Sequence, residues 1–317
     1  MYGGGMEIFM NILFMGTPDF AVPCLDILIK EGHEVCGVVT QPDKPKGRGH
    51  KLVPPPVKQY AEEKGIFVYQ PQSLRNNELL PLLNELKPQL IIVVAYGKIL
   101  PEYILNFPEY GCVNVHASLL PKYRGAAPIQ RCIIDGEAET GVTTMYMEKG
   151  LDTGDMIYKA VTQIGEDETY GELHDKLSAM GAQLLPKTVV SHENGDAPTE
   201  KQDDSKSCYA EMIYKETGHI DWQKSAKEVL NLIRGTYPFP GSFTLYGEDV
   251  LKILHAKIGN KTDRKCGSIK ITDKMLEIAC GDDMSIFVDE IQFKGGKRMS
   301  VESYLNGHSI DESIILN

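Results

Sequence analysis

Short apolar runs alternate with helical-period stretches along the first third of the chain. MNILFMG (residues 10–16) reads as a strand. Apolar positions Ala21, Val22, Leu25, Leu28 and Ile29 then recur at helical spacing. Pro18 suits a first helical turn, with Thr17 as its cap, and Gly32 ends the helix. EVCGVVT is a second strand, followed by a helix near Val57 to Lys64 and the strand IFVYQ. A helix near Asn77 to Leu86 leads to QLIIVVAY, which is apolar on both faces. Strands in such alternation form a doubly wound, mostly parallel sheet covered by helices on both sides.

The later pattern differs. GAAPIQRCIIDGE predicts a helix, with Pro128 near its start. TGVTTMYM and DMIYKAVTQI predict strands flanking GLDTGD, and TYGELHDKLSAMGAQLLPKTVVSHENG predicts one or two amphipathic helices. Asp196 to Lys215 is polar and without periodicity. Beyond a short helix in IDWQKSAKEVLNLIRGT, short strands alternate with Gly and Asp turns: GSFTLY, VLKILHAKI, GSIKIT, MLEIAC and SIFVDEIQF. Their spacing predicts a small, OB-like β-barrel. The expected division is a leader over 1–9, a Rossmann-like catalytic domain over 10–195, a linker over 196–214 and the barrel over 215–317.

Composition narrows the class. The 317 residues are 42% hydrophobic and 24% charged, a balance expected of a soluble protein. No apolar run reaches the roughly 18 residues of a membrane span, and the start lacks a signal-peptide pattern. Seven cysteines without a C-x-x-C pair argue for reduced core thiols in a cytoplasmic protein and against a zinc site. The net charge of −11 argues against a general nucleic-acid binder, but its distribution is uneven. Glu137 to Glu216 holds 17 acidic and 7 basic residues. Gln41 to Lys51 and Leu251 to Ser300 each carry a net +3, and the latter includes Lys294, Lys297 and Arg298.

The first strand-to-helix turn, MGTPDF, has one glycine instead of G-x-G-x-x-G, and no P-loop occurs, so no nucleotide cofactor is expected. Chemistry concentrates elsewhere. In NVHASLLP, Asn114 and His116 are two residues apart on an extended run and share a face, while Val113 and Val115 point the other way. Asp152 lies in a turn between Gly150 and Gly154. An amide, an imidazole and a carboxylate at the carboxyl edge of a parallel sheet suit acyl-type transfer without a covalent nucleophile. The amide donates to a developing oxyanion, the imidazole donates or relays a proton, and the carboxylate orients the ring.

Longer motifs carry a resemblance. FMGTPDFAVP, QPDKPKGRGHKL, VVAYGKILP, NVHASLLPKYRGAAPIQ, ETGVTTMYMEKGLDTGDMIY and TYPFPGSFT resemble the methionyl-tRNA formyltransferase family over nearly the whole chain. The Asn, His, Asp set and the SLLP turn are shared with the wider formyltetrahydrofolate-dependent superfamily. The resemblance implies Asn114, His116 and Asp152 as catalytic residues. It implies Ser118, Leu119, Leu120 and Pro121 as the tetrahydrofolate-binding turn, with backbone from Val94 to Lys98 and Glu148 to Asp152 lining the pterin pocket. Arg48 would engage the tRNA acceptor end. The implied reaction moves the formyl group of 10-formyltetrahydrofolate to initiator methionyl-tRNA, in a cytoplasmic monomer without metal. Two rivals are an amino-sugar-nucleotide formyltransferase, which needs no basic loop or tRNA-binding barrel, and a tRNA-binding protein without chemistry.

Overall fold

The computed structural model describes residues 10–46 and 51–317. In chain order its strands and α-helices begin with β1 (Asn11–Gly16), α1 (Val22–Lys30), β2 (Glu34–Val39), β3 (Lys44–Lys46), β4 (Lys51–Val53), α2 (Pro56–Glu63) and β5 (Val68–Tyr69). There follow α3 (Leu80–Leu86), β6 (Leu90–Val94), α4 (Glu102–Leu105), β7 (Cys112–His116), β8 (Arg124–Gly125) and α5 (Pro128–Ile134). Then come β9 (Glu139–Tyr146), β10 (Met156–Gln163), α6 (Tyr170–Glu193), β11 (Tyr209–Ala210) and α7 (Ala226–Thr236). The chain ends with β12 (Ser242–Tyr246), β13 (Asp249–Lys261), β14 (Ile269–Thr272), β15 (Met275–Ala279), β16 (Met284–Phe293), β17 (Met299–Ser300) and α8 (Val301–Leu305). They pack as two compact units. The first holds residues up to Gly125, Thr140–Thr162 and His174–Tyr209; the second holds Ala126–Glu139, Gln163–Leu173 and Ala210–Asn317.

The first unit is built on a seven-stranded sheet of order β10-β9-β7-β6-β1-β2-β5. From β5 through β7 every pairing is parallel, and β9 joins β7 antiparallel. All five residues of β6 are buried, as its unbroken apolar run predicts. Each such aliphatic side chain contributes about 1.5–3 kcal/mol on burial. On one face Leu13, Met15, Ile91, Val93 and Cys112 pack with Leu79 and Leu83 of the α3 region and Ile104 of α4. On the other, Val115 lies against Gly181 of α6, where a Cβ would stand 3.0 Å from Val115 Cγ1. The predicted helical stretch from Tyr170 onward is one 24-residue helix that accommodates Pro186 internally.

One local expectation changes. Thr17 is not a helix cap: its hydroxyl donates to the Tyr96 carbonyl at 3.0 Å, as does the Gln41 side-chain amide at 3.1 Å. These bonds tie together the loops that leave β1, β2 and β6. The stems of the basic loop, β3 and β4, pair as an antiparallel hairpin. Arg48 lies outside the described residues.

The second unit carries the antiparallel sheet β12-β13-β16-β15-β14, with β17 added beside β16. Its core gathers Trp222, Val229, Ile233, Ile253, Leu276, Ile278, Ile286 and Val288. The chain terminus closes the ring that the strand order leaves open. Leu245 of β12 and Asn317 exchange backbone hydrogen bonds at 2.7 and 3.3 Å. Next to it, Leu316 donates to Gly267 at 2.9 Å and Ile315 bridges Ser268, just before β14. Helix α7 begins at a reciprocal Ser225–Glu228 capping box and packs on β13 and α5.

Candidate active site

Strand β7 places Asn114 and His116 on one face, the face it shares with Cys112. Asn114 is half-buried, and its side-chain amide makes no hydrogen bond among the described residues. His116 is buried, 6% exposed. Its Nε2 donates to the Tyr123 carbonyl at 2.9 Å, which leaves Nδ1 facing Asp152 Oδ2 at 3.7 Å. The ring is therefore oriented by a backbone carbonyl. Asp152 stands just beyond hydrogen-bonding distance of that nitrogen.

Asp152 arrives by an unexpected route. Because β9 runs antiparallel, its end lies beside the start of β7, and Met147 donates to Cys112 O at 2.8 Å. The turn that follows doubles back to reach His116. Asp152 itself adopts the left-handed backbone, with φ of 52°, which is costly for a residue with a Cβ. The flanking glycine matters for close approach: a Cβ on Gly154 would stand 1.9 Å from Tyr146 O. Oδ2 of Asp152 accepts from the Gly125 backbone N–H at 2.8 Å. Residues 123–125 thus fix the imidazole through one backbone group and the carboxylate through another.

The SLLP turn is stitched to β9. Thr143, wholly buried, donates to Ser118 O at 2.7 Å and accepts from Leu120 N at 3.2 Å. Ser118 is also fully buried and donates to Lys122 O at 2.7 Å, so its hydroxyl shapes the turn. Leu119 and Pro121 are part-exposed, and the Leu120–Pro121 peptide is cis. In the Val94–Lys98 segment, Tyr96 is 2% exposed and burial pushes its hydroxyl pKa up. Nearby in sequence, Ile99 is 81% exposed, and Leu151 of the Asp152 turn is 49% exposed. Two neighbouring nucleophile types are disarmed. Burial pushes the Cys112 thiol up to about 12, and the Ser118 hydroxyl is committed to a carbonyl.

Sequence reasoning missed Tyr123, Thr143, Arg124 and Gln202. The first acts through its backbone, and backbone roles leave no residue-type signature. Arg124 and Gln202 lie in stretches without a chemical motif of their own, although KYRG was visible beside NVHASLLP. The non-periodic stretch after α6 is ordered along the site: Met156 and Glu200 exchange backbone hydrogen bonds at 2.8 and 2.9 Å.

In the second unit, Lys294 and Lys297 are exposed. Arg298 is engaged internally: it pairs with Glu290 at 2.6 Å, hydrogen-bonds the Tyr237 hydroxyl and lies over the Tyr237 ring at 5.0 Å. It braces the sheet against the Tyr237 segment, whereas the two lysines make no ion pair among the described residues. A cavity of about 100 Å³ in this unit, bordered by Asp167, Lys227, Arg234 and His255, contains none of the expected site residues.

A Rossmann-like sheet with this amide, imidazole and carboxylate, followed by an antiparallel barrel, matches one class throughout. Residues 10–189 match the family described as formyl transferase, and residues 212–309 match the formyl transferase C-terminal domain. Curated relatives are similar over almost their full length. Methionyl-tRNA formyltransferase of Caldanaerobacter subterraneus subsp. tengcongensis is 51% identical, covering 97% of this chain and 100% of its own. That of Clostridioides difficile is 48% identical, covering 97% and 100%. The chain belongs to the methionyl-tRNA formyltransferase family. Among solved structures, an N-formyltransferase from Helicobacter canadensis with folinic acid and dTDP-3-aminofucose shares the fold, with a TM-score of 0.67 at 21% identity, covering 88% of this chain and 98% of that one. HypX from Aquifex aeolicus with tetrahydrofolic acid aligns with a TM-score of 0.65 at 16% identity, over 96% of this chain and 49% of its own.

Proposed function

We propose that the protein transfers the formyl group of 10-formyltetrahydrofolate to the α-amino group of methionyl-initiator tRNA, giving N-formylmethionyl-tRNA for translation initiation. The observation that carries this reading is the near-full-length identity of about half to the methionyl-tRNA formyltransferases, with Asn114, His116 and Asp152 converging in one unit. Charged tRNA as acceptor puts the reaction in the cytoplasm, and the working form is a monomer.

The attacking amine has an unperturbed pKa of about 7.7–8.0, lower when its carboxyl is esterified, so a neutral fraction exists near neutrality. It attacks the formyl carbon, and negative charge gathers on the formyl oxygen. The Asn114 amide, without a hydrogen bond among the described residues, donates to that oxygen. His116 keeps its Nε2–H on Tyr123 and offers a proton on Nδ1 to the same oxygen, with the Asp152 carboxylate beside that nitrogen. The carbonyl re-forms, the bond to N10 breaks, and the proton lost by the acceptor nitrogen passes, with Asp152 as relay, to the departing tetrahydrofolate nitrogen. The SLLP turn and the segments Val94–Lys98 and Glu148–Asp152 hold the folate. Arg48 engages the acceptor end, and Lys294 and Lys297 meet tRNA phosphates.

Formyl-labelled 10-formyltetrahydrofolate incubated with methionyl-tRNA tests this directly. Label is expected on the methionine amine. Label accepted by an amino-sugar nucleotide but not by the tRNA would overturn the reading.

A further inference from the structure

We propose that Gln202 is a positioning residue for the Asp152 carboxylate, clamping the left-handed turn that carries it. The proposal rests on the catalytic reading of Asp152 given above. The Gln202 side-chain NH₂ donates to Asp152 O and to Gly154 O, both at 2.8 Å. One amide group thereby bridges the two carbonyls on either side of Thr153, at the point where the backbone is left-handed and most closely folded.

The amide is held the right way round. Gln202 Oε1 accepts from Arg124 Nε at 2.9 Å, so the oxygen faces the guanidinium and both N–H bonds face the turn. Arg124 is itself fixed: its side chain is 12% exposed, its Nη2 reaches Asp204 Oδ1 at 2.7 Å, and its backbone N–H donates to Cys208 O at 3.0 Å. The next residue, Gly125, donates to Asp152 Oδ2. The dipeptide 124–125 therefore grips Asp152 twice, directly at the carboxylate and through Gln202 at the backbone.

A turn that doubles back over the sheet has no strand ladder to fix its tip. Asp152 must nonetheless keep its carboxylate within a few ångströms of His116 Nδ1. Releasing two carbonyls from Gln202 leaves the left-handed residue free to relax toward ordinary φ, which swings the carboxylate away. A misplacement of about 1 Å costs on the order of 10² in rate.

The test uses the full chain and formyl transfer to methionyl-tRNA. Gln202→Ala is expected to lower kcat by roughly 10- to 100-fold with KM for both substrates near wild type. Gln202→Glu separates the clamp from mere anchoring of the segment. Its carboxylate still accepts from Arg124 but donates to neither carbonyl, so it is expected to be as slow as Gln202→Ala. In an Asp152→Ala background, Gln202→Ala should add no further loss, because the effect travels through Asp152. Wild-type turnover in Gln202→Glu, or an undiminished loss from Gln202→Ala in the Asp152→Ala background, overturns the proposal. Wild-type turnover in Asp152→Ala alone would overturn the catalytic reading on which it rests, and so the two failures are distinguishable.

Discussion

The two arms of the candidate site are held by different physics. Asn114 and His116 ride on β7, a central strand paired on both sides. Their spacing and facing follow from strand geometry, and their neighbours Val113 and Val115 are locked in the core. Asp152 rides on a turn that leaves the sheet beside the start of that strand and folds back. Its position is set by individual hydrogen bonds from Gly125 and Gln202 and by the absence of a side chain at Gly154. One arm is rigid by lamination into a sheet, and the other by a handful of point contacts. The strand arm should tolerate changes around it and lose only chemistry. The turn arm should lose geometry when a single support is removed.

The largest expected effect lies on the strand arm itself. Asn114→Ala and His116→Ala should each cut kcat by on the order of 10²–10³, as loss of an oxyanion donor does, with thermal midpoints close to wild type. Their double variant should be less than additive. Steady-state transfer beside a melting curve checks this, and near-wild-type turnover in either single variant would remove that residue from the mechanism.

Next comes the turn arm. Gly154→Ala sets a Cβ 1.9 Å from Tyr146 O, so the turn must move. Turnover should drop at least 10-fold together with a lowered melting temperature, the cost of forcing backbone apart being about 1–3 kcal/mol. Asp152→Asn offers the contrast: an amide oxygen can still accept from Gly125, so the fold should hold while the rate falls. Equal melting and equal turnover for Gly154→Ala and wild type would show that the tight turn is dispensable.

A smaller effect sharpens the role of the SLLP turn, proposed to bind folate, which borrows its support from the sheet. Thr143→Val keeps shape but strips Ser118 O and Leu120 N of their partner. Leaving buried polar groups unpaired costs about 1–3 kcal/mol. The KM for 10-formyltetrahydrofolate should rise more than kcat falls. A variant that loses kcat alone would instead make Thr143 part of the chemical step.

The mildest probe is thiol labelling of the native chain, which changes no residue. Cys112 opens β7, is buried, and has its thiol pushed up to about 12 by that burial. Cys208 is exposed in the segment that runs along the turn arm. A maleimide near neutral pH should modify Cys208 promptly and leave Cys112 untouched until the chain unfolds. Rapid labelling of Cys112 would contradict a rigid strand arm.

Whatever repeats or alternates was legible in the residues before any folding. The unbroken apolar run of β6, the amphipathic helices and the short late strands each announce their burial pattern, because hydrophobic period reports which face is removed from water. The facing of Asn114 and His116 was legible for the same reason, since a strand has period two. The family motifs, being long and collinear, pointed to the same three polar residues. The rest came only with the folded chain. There Thr17 serves the Tyr96 carbonyl and not its own helix, and Arg298 braces Tyr237 and Glu290. There, too, residues 315–317 close the barrel. Folding brings Arg124 and Gln202, 78 positions apart, onto the turn that carries Asp152. Those contacts depend on backbone carbonyls and amides, which every residue possesses, meeting across long stretches of chain. No local pattern of side chains encodes such a meeting; it exists only once the sheet has folded and given the loops fixed ends.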